Sequence, residues 1–189
     1  MIRIGILGDI GSGKTYVANN FGYPVFNADK EVSDLYSKNK IIFNKLKKKL
    51  PNEITTFPIN KNEITKAILS NKNNLKKIIK IVHIEVRKKM NLFQKTHSKK
   101  KIIILDVPLF LENKLNTKKD ILVYVESNKL QVDKKLKKRI NYNAKLFKKF
   151  KKIQLPSDFK KKKAHFIIEN DFTKKSVNIA IKKILKKIL

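Results

Sequence analysis

Apolar residues recur along this chain in two rhythms, and the alternation between them outlines a fold. Arg3 to Leu7 is a short, mostly apolar run of the kind a buried strand shows. It leads into Gly8-Asp9-Ile10-Gly11-Ser12-Gly13 and then a helical pattern from Lys14 to Phe21. Gly22-Tyr23-Pro24 turns the chain into a second short strand, Val25-Phe26-Asn27, ending at Asp29. Residues 30–98 hold no strand pattern; Ile64, Ile68, Leu69, Leu75, Ile78, Ile79 and Val82 repeat at helical spacing instead. Lys101 to Val107 is a run of Ile and Leu closed by Pro108, which suits a strand buried on both faces. Ile121 to Val125 predicts another strand, followed by a helix from Leu130 to Arg139 and a last strand over Phe166 to Ile168. Val177, Ile181, Ile184, Leu185 and Ile188 then line one face of a closing helix. Strands alternating with helices predict an α/β fold with a mainly parallel sheet.

Composition narrows this picture. The 189 residues, 41% of them hydrophobic, suit one domain with a real core and room for a small insertion. No run approaches the roughly 20 apolar residues of a membrane span, and Met1-Ile2-Arg3-Ile4 enters the first strand with no charged leader. A soluble cytoplasmic protein with no membrane partner is therefore expected. The absence of cysteine excludes disulfides, thiolate metal sites and Cys nucleophiles. The charge is extreme: 46 Lys and Arg face 15 Asp and Glu, a formal +31. Such a field attracts polyanions. Yet the lysines are spread through most of the chain and far outnumber arginines, whose forked guanidinium suits phosphate better. We therefore read most of them as solvated. A phosphate-rich small ligand is favoured, and nucleic acid is not an expected partner.

The chemistry concentrates in Gly8-x-x-x-x-Gly13-Lys14-Thr15, a P-loop pattern set between an apolar strand and a helix, the context the motif requires. Glycines let successive backbone N–H groups face phosphate oxygens, and the helix that follows adds its positive end. The nucleotide site is expected to comprise Gly8, Gly11, Ser12, Gly13, Lys14, Thr15 and Tyr16, with Lys14 on the β- and γ-phosphates and Thr15 on Mg²⁺. Asp29 fits two roles equally: a strand-end carboxylate that orients or deprotonates an acceptor hydroxyl, or the N-cap of a helix beginning near Lys30. Asp106 likewise resembles a Walker-B acid near the metal, or is a polar strand end. Lys134 to Lys163 carries thirteen Lys, Arg139 and one acid, Asp158, as a flap over ATP or a solvated helix face would. Tyr142, Phe147, Phe150 and Phe159 are interleaved there, and core packing is their expected job, with RNA stacking as the alternative. His83, His97 and His165 have no metal-ligand spacing, and His97 is expected in a loop.

Taken in order, these segments resemble the dephospho-CoA kinase family of P-loop kinases almost from end to end. Residues 8–15 are similar to that family's GGIGSGKS loop, and Asn27-Ala28-Asp29 falls where it has DAD. Val107 to Glu112 resembles VPLLFE, and Gln131 to Arg139 sits like Q-x-x-R-x-x-x-R. Gln154-Leu155-Pro156 with Ala164 to Asn170 resembles QLP…ADFVIDN. The resemblance implies a three-layer α/β/α domain over residues 1–189 with a five-stranded parallel sheet. It also implies a helical substrate-binding insertion in residues 30–98 and a small lid in 140–163. ATP and Mg²⁺ would be used to phosphorylate the ribose 3′-hydroxyl of dephospho-CoA. Asp29 would be the catalytic base, Lys14 and Arg139 would balance phosphoryl charge, and Asp29, His83, Pro108 and Leu109 would line the acceptor site. Rival readings are a kinase for a nucleoside or nucleotide, and a basic RNA-binding relative without turnover; no Asn-Lys-x-Asp motif supports a guanine-nucleotide switch. Four departures outside the loop bear on the expected site: Asn27 for the first Asp, Ile84 for the Pro of His-Pro, Phe150 for a lid Arg, and His165 for the Asp of ADFVI. The lid's phosphate contacts are therefore expected from Arg139 with Lys149, Lys151 and Lys152, while Phe150 packs.

Overall fold

Residues 1–140 and 142–189 are described by a computed structural model. Five strands, β1 (Ile2–Gly8), β2 (Val25–Asn27), β3 (Ile102–Asp106), β4 (Ile121–Glu126) and β5 (Phe166–Glu169), form one sheet in the order β2-β3-β1-β4-β5. Every pairing is parallel. Period-2 alternation splits the strand side chains between two faces. Ile4, Ile6, Ile102, Ile104, Val123 and Val125 pack on one side with α1 (Lys14–Asn20) and α9 (Lys174–Ile188). Leu7, Ile103, Leu105, Leu122 and Tyr124 face the other, larger core. All five residues of β3 are buried, which is why that strand reads as an unbroken apolar run.

The larger core is covered by α2 (Ala28–Lys38), α3 (Lys40–Lys49), α4 (Lys61–Ser70) and α5 (Asn74–Thr96), which occupy the strand-free stretch. The periodicity noted above picks out α4 and α5. It passes over α3, whose short apolar set (Ile42, Leu46) lies among lysines. The asparagine-rich composition has a local use: Asn27, Asn39, Asn60, Asn128 and Asn143 each accept a backbone N–H at a helix start. Ile84 lets α5 run unbroken through the His83 turn, where a proline would remove a backbone donor and clash with the preceding turn. His97 sits at the C-cap of α5, its ring against Phe93 at 4.3 Å.

The basic stretch folds as α6 (Lys129–Lys137), α7 (Ala144–Lys152) and α8 (Ser157–Lys163). Arg139 lies in the turn beyond α6 rather than on the helix, and its backbone N–H is bonded to Leu136 O. Of the interleaved aromatics, Phe150 packs against the larger core together with Leu146 and Ile153. Tyr142 and Phe159 stay exposed rather than packing in the core, the Tyr142 ring resting beside Phe147 with 6.2 Å between centroids. Among the described residues no helix is long and apolar enough to cross a membrane.

Candidate active site

Parallel pairing aligns the polar strand ends at one edge of the sheet, with Asn27 opposite Asp106 and Gly8 opposite Val125. Ligands of open α/β sheets bind beyond that edge. The loop after β1 closes over it. Gly13, with φ +86°, is the N-cap of α1, and a Cβ there would lie 2.3 Å from Asn170 Nδ2. Only glycine meets both conditions. Asn170 is buried and its amide donates to Ser12 O at 2.9 Å, as Ser127 Oγ does at 2.8 Å, so the loop is held from two later segments.

Val17 N–H is the first of α1 to find a helical acceptor, Gly13 O, so the N–H groups of Lys14, Thr15 and Tyr16 lack an acceptor within the helix. They form an anion seat at a positive helix end. The Tyr16 ring is exposed, so at this turn the residue offers only its backbone N–H. The Ser12 hydroxyl is buried beneath the loop without a partner among the described residues. Lys14 Nζ folds back onto Gly8 O (3.1 Å) and Asp9 O (2.7 Å). Burial pulls its pKa down to about 8, against the opposing pull of the Asp106, Asp29 and Asp9 carboxylates, with the Lys160 charge adding to the fall. Its side chain still meets solvent in the open cleft, and incoming phosphate would reverse the effect.

Thr15 Oγ1 donates to Asp106 Oδ2 at 2.6 Å, and Asn27 Nδ2 donates to the same oxygen at 2.9 Å. Asp106 is 3% exposed; burial raises its pKa, moderated by the Thr15 bond and the Lys14 charge. These are hard oxygen donors at the lip of a phosphate loop, suited to an ion that keeps water and phosphate for its remaining positions. Asp106 is thus more than a polar strand end: it is joined to the loop threonine.

The two roles open to Asp29 separate here. Asn27 caps α2, its Oδ1 accepting Lys30 N–H at 2.8 Å, so Asp29 is not the cap and lies in the first turn of the helix rather than at the strand end. Burial raises the Asp29 pKa, and the charges of Lys14 and Arg139 oppose this. The carboxylate is solvent-accessible, so the desolvation it feels is that of a cleft wall, which water screens until the cleft fills. The structure thus brings Lys14, Thr15, Asp106, Asp29 and the Arg139 charge to one edge. Pro108 and Leu109 form the half-buried turn just past Asp106. His83 reaches that turn indirectly, through the Asn113 side chain, whose amide also donates to Leu109 O at 2.8 Å. Burial and the Arg87 charge lower the His83 pKa, and the Asn113 side chain opposes them.

Several residues here escaped the sequence reading. Glu112 Oε1 accepts Leu155 N–H at 2.9 Å and anchors the link between α7 and α8. Asp9 accepts from Ser157 Oγ (2.6 Å) and Lys160 Nζ (2.6 Å). The one available signal was Asp9 itself, an acid in a loop string that carries glycine at that place. One expectation needs correction: Lys149 donates to Ile68 O at 2.5 Å, at the end of α4, and so does not face the loop. Lys151 does line the cavity of about 550 Å³ bounded by Asp9, Tyr124, Phe147 and Pro156.

Comparison with known proteins gives this edge its context. The family model for dephospho-CoA kinase matches residues 2–176. The chain belongs to that family. It is 31% identical over 187 residues to the dephospho-CoA kinase of Wolbachia pipientis wMel, covering 96% of this chain and 95% of the relative. The crystal structure of Thermus thermophilus TT1252 superposes with a TM-score of 0.76 at 25% identity, covering 100% of this chain and 98% of the other. A dephospho-CoA kinase from Campylobacter jejuni shares the fold, with a TM-score of 0.65 at 20% identity and coverage of 98% and 96%. As a family member the chain is a P-loop kinase, a transferase that takes ATP as a substrate. Two family departures acquire a physical reason here. Asn27 keeps both the α2 cap and the bond to Asp106 without adding a third carboxylate. His165 Nδ1 accepts Leu122 N–H at 3.0 Å, a bond that an aspartate oxygen can make equally well.

Proposed function

We propose that this protein transfers the γ-phosphoryl group of ATP to the ribose 3′-hydroxyl of dephospho-CoA, giving ADP and coenzyme A. The observation that carries this reading is the pairing of Thr15 with Asp106 beside a complete phosphate loop, with Asp29 left uncapped on the same edge. Family membership supplies the acceptor.

The acceptor oxygen attacks the γ-phosphorus, the bond from that phosphorus to the β-bridging oxygen breaks, and the hydroxyl proton passes to Asp29. Lys14 and the loop N–H groups hold the phosphates, and Arg139 enters from the turn after α6 to balance the charge. Thr15 and Asp106 would hold Mg²⁺, which when bound neutralises phosphate charge. Residues 30–98 serve as the acceptor-binding insertion and 140–163 as the lid, with Tyr16 contributing a backbone donor and His83, Pro108 and Leu109 forming the acceptor wall.

The test is ADP release coupled to a spectroscopic readout, with dephospho-CoA, adenosine and AMP offered in parallel and the product identified by mass. Turnover is expected with dephospho-CoA, and Lys14→Ala should abolish it, since no neighbouring side chain replaces that ammonium. Faster turnover with adenosine or AMP would overturn the acceptor assignment, and an active Lys14→Ala enzyme would overturn the loop assignment.

A further inference from the structure

One carboxylate lies inside the phosphate loop itself, in a site meant for a polyanion. Asp9 follows the first loop glycine, and its side chain remains 47% exposed. Two residues of α8 converge on it: Ser157 Oγ at 2.6 Å and Lys160 Nζ at 2.6 Å, with the Tyr124 hydroxyl at 3.4 Å. Residues 157 and 160 are three apart and so share a helix face. Lys160 is the unusual member, because only 3% of its side chain is exposed in a chain whose other lysines are mostly solvated. A buried ammonium persists where a partner compensates its desolvation. Here that partner is the loop acid.

We propose that Lys160 is a positioning residue for nucleotide binding: it neutralises Asp9 and ties the phosphate loop to α8, so that the loop presents no uncompensated negative charge to the triphosphate. This rests on the reading of the loop as an ATP site. Without Lys160, Asp9 would keep its two hydroxyl donors but carry an uncompensated negative charge in the loop, and it would repel ATP more than ADP. Lys160 therefore acts through Asp9 and makes no obligatory contact with the nucleotide. The geometry also links the end of the basic stretch, α8, to the loop it would cover.

The experiment is equilibrium binding of ATP and ADP to the full chain by calorimetry, for wild type, Lys160→Met, Asp9→Asn, the double variant and Lys160→Arg. Lys160→Met should weaken ATP by about tenfold or more, the scale of an uncompensated charge within several ångströms in a partly shielded site, and ADP by less. Asp9→Asn alone should stay within about threefold of wild type, and the double variant should return to within about threefold of Asp9→Asn, a coupling of about 0.7 kcal/mol or more. Lys160→Arg should keep the affinity, as charge is what is asked of it. A double variant as weak as Lys160→Met, or equal losses for ATP and ADP, would overturn the proposal and make Lys160 a direct ligand or a purely structural residue. Should Lys160→Met fail to fold, Lys160→Gln, which can still hydrogen-bond Asp9, carries the same expectations and the same overturning results. Failure of the ATP-site reading would look different: wild type itself would not bind ATP, or Lys14→Ala would bind it equally well.

Discussion

Single residues at the sheet edge are defined by what their neighbours have already satisfied. Asn27 occupies the helix cap and one side of Asp106, so among the described residues neither of those duties falls to Asp29. Asp29→Asn should therefore leave ATP binding nearly intact, shift stability by no more than ~0.5 kcal/mol as an exposed substitution does, and lower kcat by ~10²–10⁴-fold. The pH dependence follows from the raised pKa. Asp29 must be ionised to take a proton, so activity is lost as pH falls, and the loss begins at a higher pH than an ordinary aspartate (about 3.9) would give. A pH profile of kcat/KM checks this: the acid limb should disappear in Asp29→Asn, and an unchanged limb would move the base elsewhere.

At the scale of elements, the basic stretch shows why residue type alone does not assign a role. An arginine at position 150 would be the fork the resemblance calls for, yet Phe150 sits on the inner face of α7 against the larger core, and α7 packs on α4. With no other change, Phe150→Arg should strip that packing rather than add a phosphate contact. The expected cost is about 1–3 kcal/mol for a partly buried aromatic exchanged for a charge. Hydrogen exchange of the α7 amides and the thermal midpoint are the measurements. Higher protection with faster turnover would show that the arginine reaches the site after all. Lys149 makes the same point in the opposite sense, since a lysine that suits phosphate by type is spent on the Ile68 carbonyl.

At the scale of the whole molecule, a formal charge of +31 with seven ion pairs among the described residues leaves most lysines facing one another across solvent. Self-repulsion destabilises such a compact state, and salt screens it beyond about 10 Å at ~0.1 M. The thermal midpoint should therefore rise by several degrees between roughly 0.02 and 0.3 M NaCl, since ~1 kcal/mol corresponds to about 2–4 °C in a chain of this size. A flat or falling midpoint would mean that favourable surface pairs dominate instead. What the sequence by itself determined is the local part: the strand that runs into the phosphate loop, the glycine at position 13, the buried run of β3, the apolar stripes of α4, α5 and α9. Each is decided by residues within a few positions of one another, where period, φ and capping act directly. Which acid is tied to Asn27 and the loop threonine, Asp106 rather than Asp29, was decided by hydrogen bonds 79 and 91 residues apart in the chain. The choice of Lys160 from 43 lysines as the partner of Asp9, 151 positions away, was decided by burial alone. Identical side chains carry no mark in the sequence that distinguishes the one the fold encloses; the low-dielectric interior makes that distinction, by requiring a partner for any charge it takes in.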